Sequence, residues 1–269
     1  MRNKILSAIL LVILVFIKVE PVWAAVPKIY ATSAILMDCK SGEILFEKNA
    51  REKRPPASTT KILTAILALE MGQPDQLVTV SERAAMVGEA TIYLDPGDQL
   101  TVMDLIHGAL LKSGNDACVA LAEGICPSEE EFINLMNLKA KIIGALDTTF
   151  YNTNGLPHKH HLTTAYDLAL IARYAMNNPI FAEIVQKKHH TISWTKPNRK
   201  MYLKNTNKLL WEYPLATGVK TGTTDNAGKC LVAAGKYQEH EVIAVILNSP
   251  DRFGDARRLL DYGLKEKGA

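Results

Sequence analysis

The sequence predicts an α+β fold, an antiparallel sheet flanked by helices, with a helical lobe of its own. Three observations predict it. Strand-like segments lie towards both ends of the chain, helical periodicity fills the middle, and no internal repeat, Gly/Ser linker or low-complexity tract divides the 269 residues. Hydrophobic residues make up 48% and charged residues 22%, a globular composition that excludes a disordered or fibrous polymer.

Residues 1–24 read as a secretory signal. Arg2 and Lys4 precede an apolar run from Ile5 to Ile17, and small residues follow around Trp23-Ala24-Ala25. The run is shorter than the roughly 20 residues a spanning helix needs, and Lys18 and Glu20 end it. Export with cleavage near Ala24 or Ala25 is expected, leaving residues 25–269 as one folded domain. That remainder is nearly neutral, so no basic field favours nucleic acid and no acidic one favours cationic partners.

Ile29 to Asp38 and Glu43 to Lys48 flank Cys39-Lys40-Ser41-Gly42 and read as a hairpin. Apolar positions at helical spacing then predict helices over Ser58 to Met71, Thr101 to Lys112, Asn115 to Glu123, Glu129 to Ile143 and Thr164 to Met176. Thr101 with Asp104, and Thr164 with Asp167, have capping-box spacing. Strand character returns over His190 to Thr195, Ala216 to Gly222, Lys229 to Ala234 and Glu241 to Leu247. An amphipathic helix from Asp255 to Lys265 closes the chain and is expected to cover the sheet. The terminal strands are expected to pair, with a cleft between sheet and helical lobe. Cys39, Cys118, Cys126 and Cys230 include no C-x-x-C pair and sit largely in apolar runs, so they read as buried free thiols.

Three short motifs could share that cleft. Ser58-Thr59-Thr60-Lys61 opens a helix behind Pro55-Pro56, which stiffen the approach. Residues three apart share a helix face, so the Lys61 amine can reach the Ser58 hydroxyl. The apolar helix that follows implies burial, which disfavours a charged lysine and makes it a usable general base. Ser113-Gly114-Asn115 falls between two helices, where glycine permits a turn that projects a hydroxyl and an amide. Lys220-Thr221-Gly222 lies on a strand, with Lys220 and Gly222 on one face, where the missing side chain of Gly222 would let a substrate backbone lie along the strand edge. Singly, each has a bland reading: a capped helix start, a helix stop, a strand ending in a turn. Jointly and in this order they are far harder to obtain by chance.

With these motifs the chain resembles the penicillin-binding serine peptidases, in particular the low-molecular-mass D-alanyl-D-alanine carboxypeptidase family, whose Ser-x-x-Lys, Ser-x-Asn and Lys-Thr-Gly elements are a known set. Arg54 to Lys61, Ser113 to Ala117, Phe132 to Asn137, Asn154 to Pro157, His161 to Leu168 and Gly218 to Gly228 share the likeness. The resemblance implies a β-lactamase/transpeptidase-like fold and no cofactor or metal. It implies Ser58 as nucleophile, Lys61 as its base, Ser113 as a proton relay to the departing amine and Asn115 as holder of a substrate amide. Lys220 and Thr221 would bind the terminal carboxylate beside Gly222, with Lys220 helping to keep Lys61 neutral, and Arg252 would be a further carboxylate contact. The backbone amides of Ser58 and Thr223 would form the oxyanion hole. His161 and Asp167 are expected to be structural.

The implied partner is the peptidoglycan stem peptide ending in D-Ala-D-Ala, with β-lactams as covalent inhibitors that imitate it. The C-terminal β-rich domain and amphipathic anchor usual in such relatives find no counterpart in the sequence, so an exported enzyme without a stable membrane anchor after signal cleavage is expected. A β-lactamase or transpeptidase shares the motifs, although a β-lactamase would carry Ser-Asp-Asn and a deacylating glutamate in Glu-x-x-x-Asn. A zinc D-Ala-D-Ala peptidase would draw on His158, His160, His161, His189 and His190, yet no His-Glu-x-x-His occurs. A catalytically dead binding module is the remaining rival, opposed by the intact Ser58, Lys61 and Lys220.

Overall fold

The structure, a computed structural model, describes residues 26–266; the secretory-signal reading lies outside them. Strands β1 (Ser33–Asp38) and β2 (Ile44–Lys48) form the expected hairpin, with Asp38 Oδ1 accepting from Ser41 N and Ser41 Oγ at 2.7 Å each to close the turn. A 3₁₀ turn over Ala57–Thr60 leads directly into α1 (Lys61–Met71). The short elements β3 (Leu77–Thr79), α2 (Glu82–Ala85) and β4 (Gln99–Thr101) follow, then α3 (Val102–His107), α4 (Asn115–Ile125), α5 (Glu129–Ile143) and α6 (Ala165–Met176). Both predicted caps form: Thr101 Oγ1 accepts from Asp104 N, and Thr164 Oγ1 from Asp167 N. The helix predicted to run to Lys112 changes pitch instead. Gly108–Lys112 is a π-helical turn that ends at Ser113 in the left-handed region, φ 69°.

After α7 (Pro179–Gln186) come β5 (His189–Lys196), β6 (Arg199–Lys204), α8 (Leu209–Glu212), β7 (Ala216–Thr224), β8 (Gly228–Tyr237), β9 (His240–Leu247) and α9 (Arg252–Glu266). Among the described residues the strands build two sheets. The larger has the order β2-β1-β9-β8-β7, so the terminal strands do pair, Ser33 opposite Leu247 and Asp38 opposite Val242. Alternation along β9 sends Ile243, Val245 and Leu247 into the core shared with the helical lobe, and Val242, Ala244 and Ile246 into a second core under α9. Leu259, Leu260 and Leu264 close that second core, which is the covering role expected of the last helix. Each such large buried aliphatic side chain contributes about 1.5–3 kcal/mol.

The segment His190 to Thr195 does not join the terminal strands. It belongs to the smaller sheet β3-β4-β5-β6, whose β5 and β6 are buried only at isolated positions such as Ile192, Trp194 and Leu203. The four cysteines are free and buried, as expected. No helix among the described residues is long and apolar enough to cross a membrane.

Candidate active site

The three motifs meet where the start of α1, the turn between α3 and α4, and the outer edge of β7 converge. Ala57, held left-handed at φ 48°, delivers Ser58 at the head of the 3₁₀ turn. The turn is laced from below. Thr60 Oγ1 donates to Ala57 O (2.8 Å) and lies 2.9 Å from His161 Nε2, while His161 Nδ1 accepts from Tyr151 N (3.1 Å). With Nδ1 an acceptor, Nε2 carries the hydrogen and the ring is neutral; burial pushes its pKa down to about 4. His161 is thus structural, as expected. So is Asp167, whose Oδ2 accepts from Asp147 N (2.8 Å) and Thr148 Oγ1 (2.7 Å).

Lys61 is 0% exposed. Its Nζ lies 2.9 Å from Ser58 Oγ, 2.7 Å from Asn115 Oδ1 and 2.6 Å from the Asn154 carbonyl oxygen. Two of these partners are carbonyl oxygens, which only accept. A neutral amine has two hydrogens and one lone pair, so those acceptors take both hydrogens and leave the lone pair facing the Ser58 hydroxyl. Burial drives the Lys61 pKa down from 10.5 to about 8, against the opposing pull of the Cys118, Asp116 and Glu89 side chains. Ser58 itself is only partly covered whereas Lys61 is enclosed, so the hydroxyl faces the cleft and the amine faces the protein.

Lys220, 1% exposed, reaches across from β7 to Ser113 Oγ (3.0 Å) and to the carbonyl of Thr221 (2.9 Å). Burial first and the Lys61 charge second hold it well below the ordinary lysine value. Repulsion between two amines is mutual, so each disfavours charge on the other, while burial is the larger cause at both. Asn115 is fixed through its backbone N on Ala90 O (2.7 Å) and its Nδ2 on Gly88 O (3.0 Å). With Oδ1 on Lys61, one amide hydrogen is left for a ligand.

Gly222 stands on the same face as Lys220, yet it makes room for the protein's own chain. A Cβ there would meet Ser58 N at 2.9 Å and Ala57 Cβ at 3.1 Å. The glycine therefore lets β7 press against the serine turn, which brings the Ser58 amide beside the strand that carries Thr223. Thr221 Oγ1 pairs with Thr206 Oγ1 (2.7 Å), and Thr223 is exposed. Arg252, from the start of α9, donates to Gly222 O (2.9 Å) and Thr223 Oγ1 (2.7 Å), placing a guanidinium at the end of the strand.

Sequence reasoning missed the backbone carbonyl of Asn154 and the threonine at 206. Asn154-Gly155-Leu156-Pro157 is visible as a motif, but a carbonyl's direction is not written in its side chain. Gly155 shows what the motif encodes: its φ is 90°, and a Cβ would collide with the Ala57 carbonyl oxygen. The histidines disperse to other tasks, His158 and His160 around Tyr151, His189 beside Tyr202 and His190 stacked on His107. Among the described residues no three His, Cys, Asp or Glu side chains are grouped to hold a metal ion.

An α+β fold that gathers Ser-x-x-Lys, Ser-x-Asn and Lys-Thr-Gly onto one cleft has the arrangement of a penicillin-binding serine peptidase. Residues 20–251 match the peptidase S11 family of D-alanyl-D-alanine carboxypeptidases, and the chain belongs to that family. It is 36% identical to the D-alanyl-D-alanine carboxypeptidase DacF of Bacillus subtilis and 38% identical to DacC of Escherichia coli, over 88% and 89% of this chain. It spans 62% of the length of each of those relatives. Among solved structures, the Streptomyces K15 DD-transpeptidase superposes with a TM-score of 0.85 at 34% identity, covering 89% of this chain and 98% of the other. DacD from Francisella tularensis gives 0.82 at 31% identity, covering 88% of this chain and 71% of the other.

Proposed function

We propose that the chain is a serine-type D-Ala-D-Ala carboxypeptidase that removes the terminal D-alanine from peptidoglycan stem peptides through an acyl-enzyme on Ser58. The observation that carries this reading is the Lys61 amine, buried, held by two carbonyls and 2.9 Å from Ser58 Oγ. Lys61 takes the hydroxyl proton as Oγ attacks the penultimate carbonyl carbon. Negative charge develops on the carbonyl oxygen, to be met by the amides of Ser58 and Thr223. The C–N bond then breaks, the amine leaves with a proton relayed through Ser113, and water hydrolyses the ester and frees Ser58. Lys220, Thr221 and Arg252 supply the cationic, hydrogen-bonding end of the cleft that suits a terminal carboxylate. β-Lactams acylate the same hydroxyl.

Such a substrate lies outside the cytoplasmic membrane, in keeping with the secretory character of residues 1–24. Transpeptidation is the second reading, favoured by the superposition on a DD-transpeptidase over nearly its whole length. In it an amine replaces water at the same ester.

Mass spectrometry of the purified chain after incubation with a penicillin tests the reading. A single covalent adduct on the peptide holding Ser58, absent from Ser58→Ala, is expected, together with D-alanine release from a D-Ala-D-Ala peptide. Label persisting in Ser58→Ala would remove the nucleophile. Rapid turnover of a chromogenic cephalosporin would make the chain a β-lactamase instead, and loss of activity on chelation would revive the zinc alternative.

A further inference from the structure

Glu129 is a buried carboxylate that the mechanism above does not use. It opens α5 and is 4% exposed, whereas its neighbours Glu130 and Glu131 face solvent. The helix does not need it as a cap, because Ser128 Oγ accepts from Glu131 N, and the two exposed glutamates already place negative charge in the first turn. Burying a third carboxylate is costly without a specific partner. Its partners are Thr153 and Arg83. Glu129 Oε1 accepts from Thr153 Oγ1 (2.8 Å) and Thr153 N (3.3 Å), and Oε2 pairs with the Arg83 guanidinium.

Thr153 is fixed at its third polar atom as well, because its carbonyl accepts from Thr64 Oγ1 at 2.6 Å. Thr64 follows Lys61 by three residues on α1, so it stands on the same helix face. On the far side, the left-handed Gly155 is wedged against Ala57, and its N donates to Asn152 Oδ1 (2.7 Å). The Thr153 carbonyl belongs to the peptide before Asn154 and the Gly155 N–H to the peptide after it, so the clamps hold the chain on both sides of the Asn154 Cα. The second of these peptides carries the carbonyl oxygen that accepts from Lys61.

Resting on the Ser58–Lys61 reading, we propose that Glu129 is a positioning residue for the Lys61 amine, acting through Thr153 to fix the direction of the Asn154 carbonyl. With the carbonyl fixed, one amine hydrogen is committed and the lone pair points at Ser58. Once the carbonyl is free to swing, the amine rotates and the lone pair leaves the hydroxyl. A misplacement of about 1 Å in such a group costs up to about a hundredfold in rate. Glu129 touches no substrate, so the loss falls on the chemical step and not on binding.

The test uses the full exported chain and a fluorescent penicillin, with stopped-flow separation of the pre-acylation dissociation constant from the acylation rate constant across pH. Glu129→Ala should lower the rate constant about tenfold to a hundredfold and distort its pH profile, with the dissociation constant within about twofold of wild type. Glu129→Gln keeps an oxygen for Thr153 and should restore the rate to within about threefold. If Glu129→Ala does not fold, Thr153→Val, which removes only the hydroxyl contact, takes its place and should lower the rate constant several-fold, again without weakening binding. Wild-type rates and profile in the variant that folds, or a Glu129→Gln as slow as Glu129→Ala, would overturn the inference. Failure of wild type to label at all would instead overturn the underlying reading and this inference with it.

Discussion

The two lysines of the cleft are both fully enclosed, yet their surroundings differ. Lys61 has two carbonyl acceptors and a hydroxyl, a set that completes a neutral amine and leaves it one basic direction. Lys220 has one hydroxyl and one carbonyl, faces the Ser113 side and feels the Lys61 charge. Burial alone therefore does not make a base. What separates the helix-start region from the strand-edge region is how many acceptors the protein supplies to each nitrogen.

Replacing each lysine in turn is the strongest way to break that contrast. Lys61→Met should reduce penicillin acylation by about a thousandfold or more, since it removes the proton acceptor. The desolvation cost it removes is opposed by the two buried acceptors it leaves without a donor, Asn115 Oδ1 and the Asn154 carbonyl, so the thermal midpoint is to be measured alongside to show that the variant is folded. Retained labelling would give the base to another group. Lys220→Met should cost less, about ten- to a hundredfold, the worth of one charge-assisted hydrogen bond. That loss should appear mainly as weaker binding of carboxylate-bearing ligands; equal losses in both variants would erase the distinction.

The pH dependence sharpens the comparison with the smallest effect. With Lys61 near pKa 8, acylation should rise about tenfold per pH unit below about 8 and level off above it, following the neutral amine. The same depression has a stability consequence. Between about 8 and the ordinary value of 10.5 the unfolded chain binds more protons at this site than the folded one, so folding stability gains with rising pH across that window. A rate profile flat from pH 6 to 9 would show that Lys61 is not the titrating base.

Much of this was legible in the residues. Ser58 and Lys61 sit one turn apart because helix geometry requires it, and Glu129 to Ile143 is a helix with the predicted boundaries. The strand over His190 to Thr195 was legible as β5, but the sheet it joins was not, and legibility failed at β6, where Leu203 alone is buried among exposed polar and aromatic side chains. It failed at α7 for a different reason: Asn178-Pro179 was the start signal, with Asn178 Oδ1 accepting from Ile180 N and Phe181 N, and it lies directly behind the end of α6. In the site, which side chains come together could be read from residue type and spacing, but the Asn154 carbonyl and the Thr206–Thr221 pair depend on loops whose paths only the folded chain defines.

The pairing of β1 with β9 joins segments 216 residues apart at Thr32 and Asn248. An emerging polypeptide makes the first of these strands early and must hold its second edge bare until the last strand arrives, after Ser58, Lys61, Ser113, Asn115 and Lys220 have all been produced. Completion of the cleft is thereby deferred to the end of synthesis, and an incomplete product lacking β9 would present two unpaired edges, on β1 and on β8, that invite association with other chains.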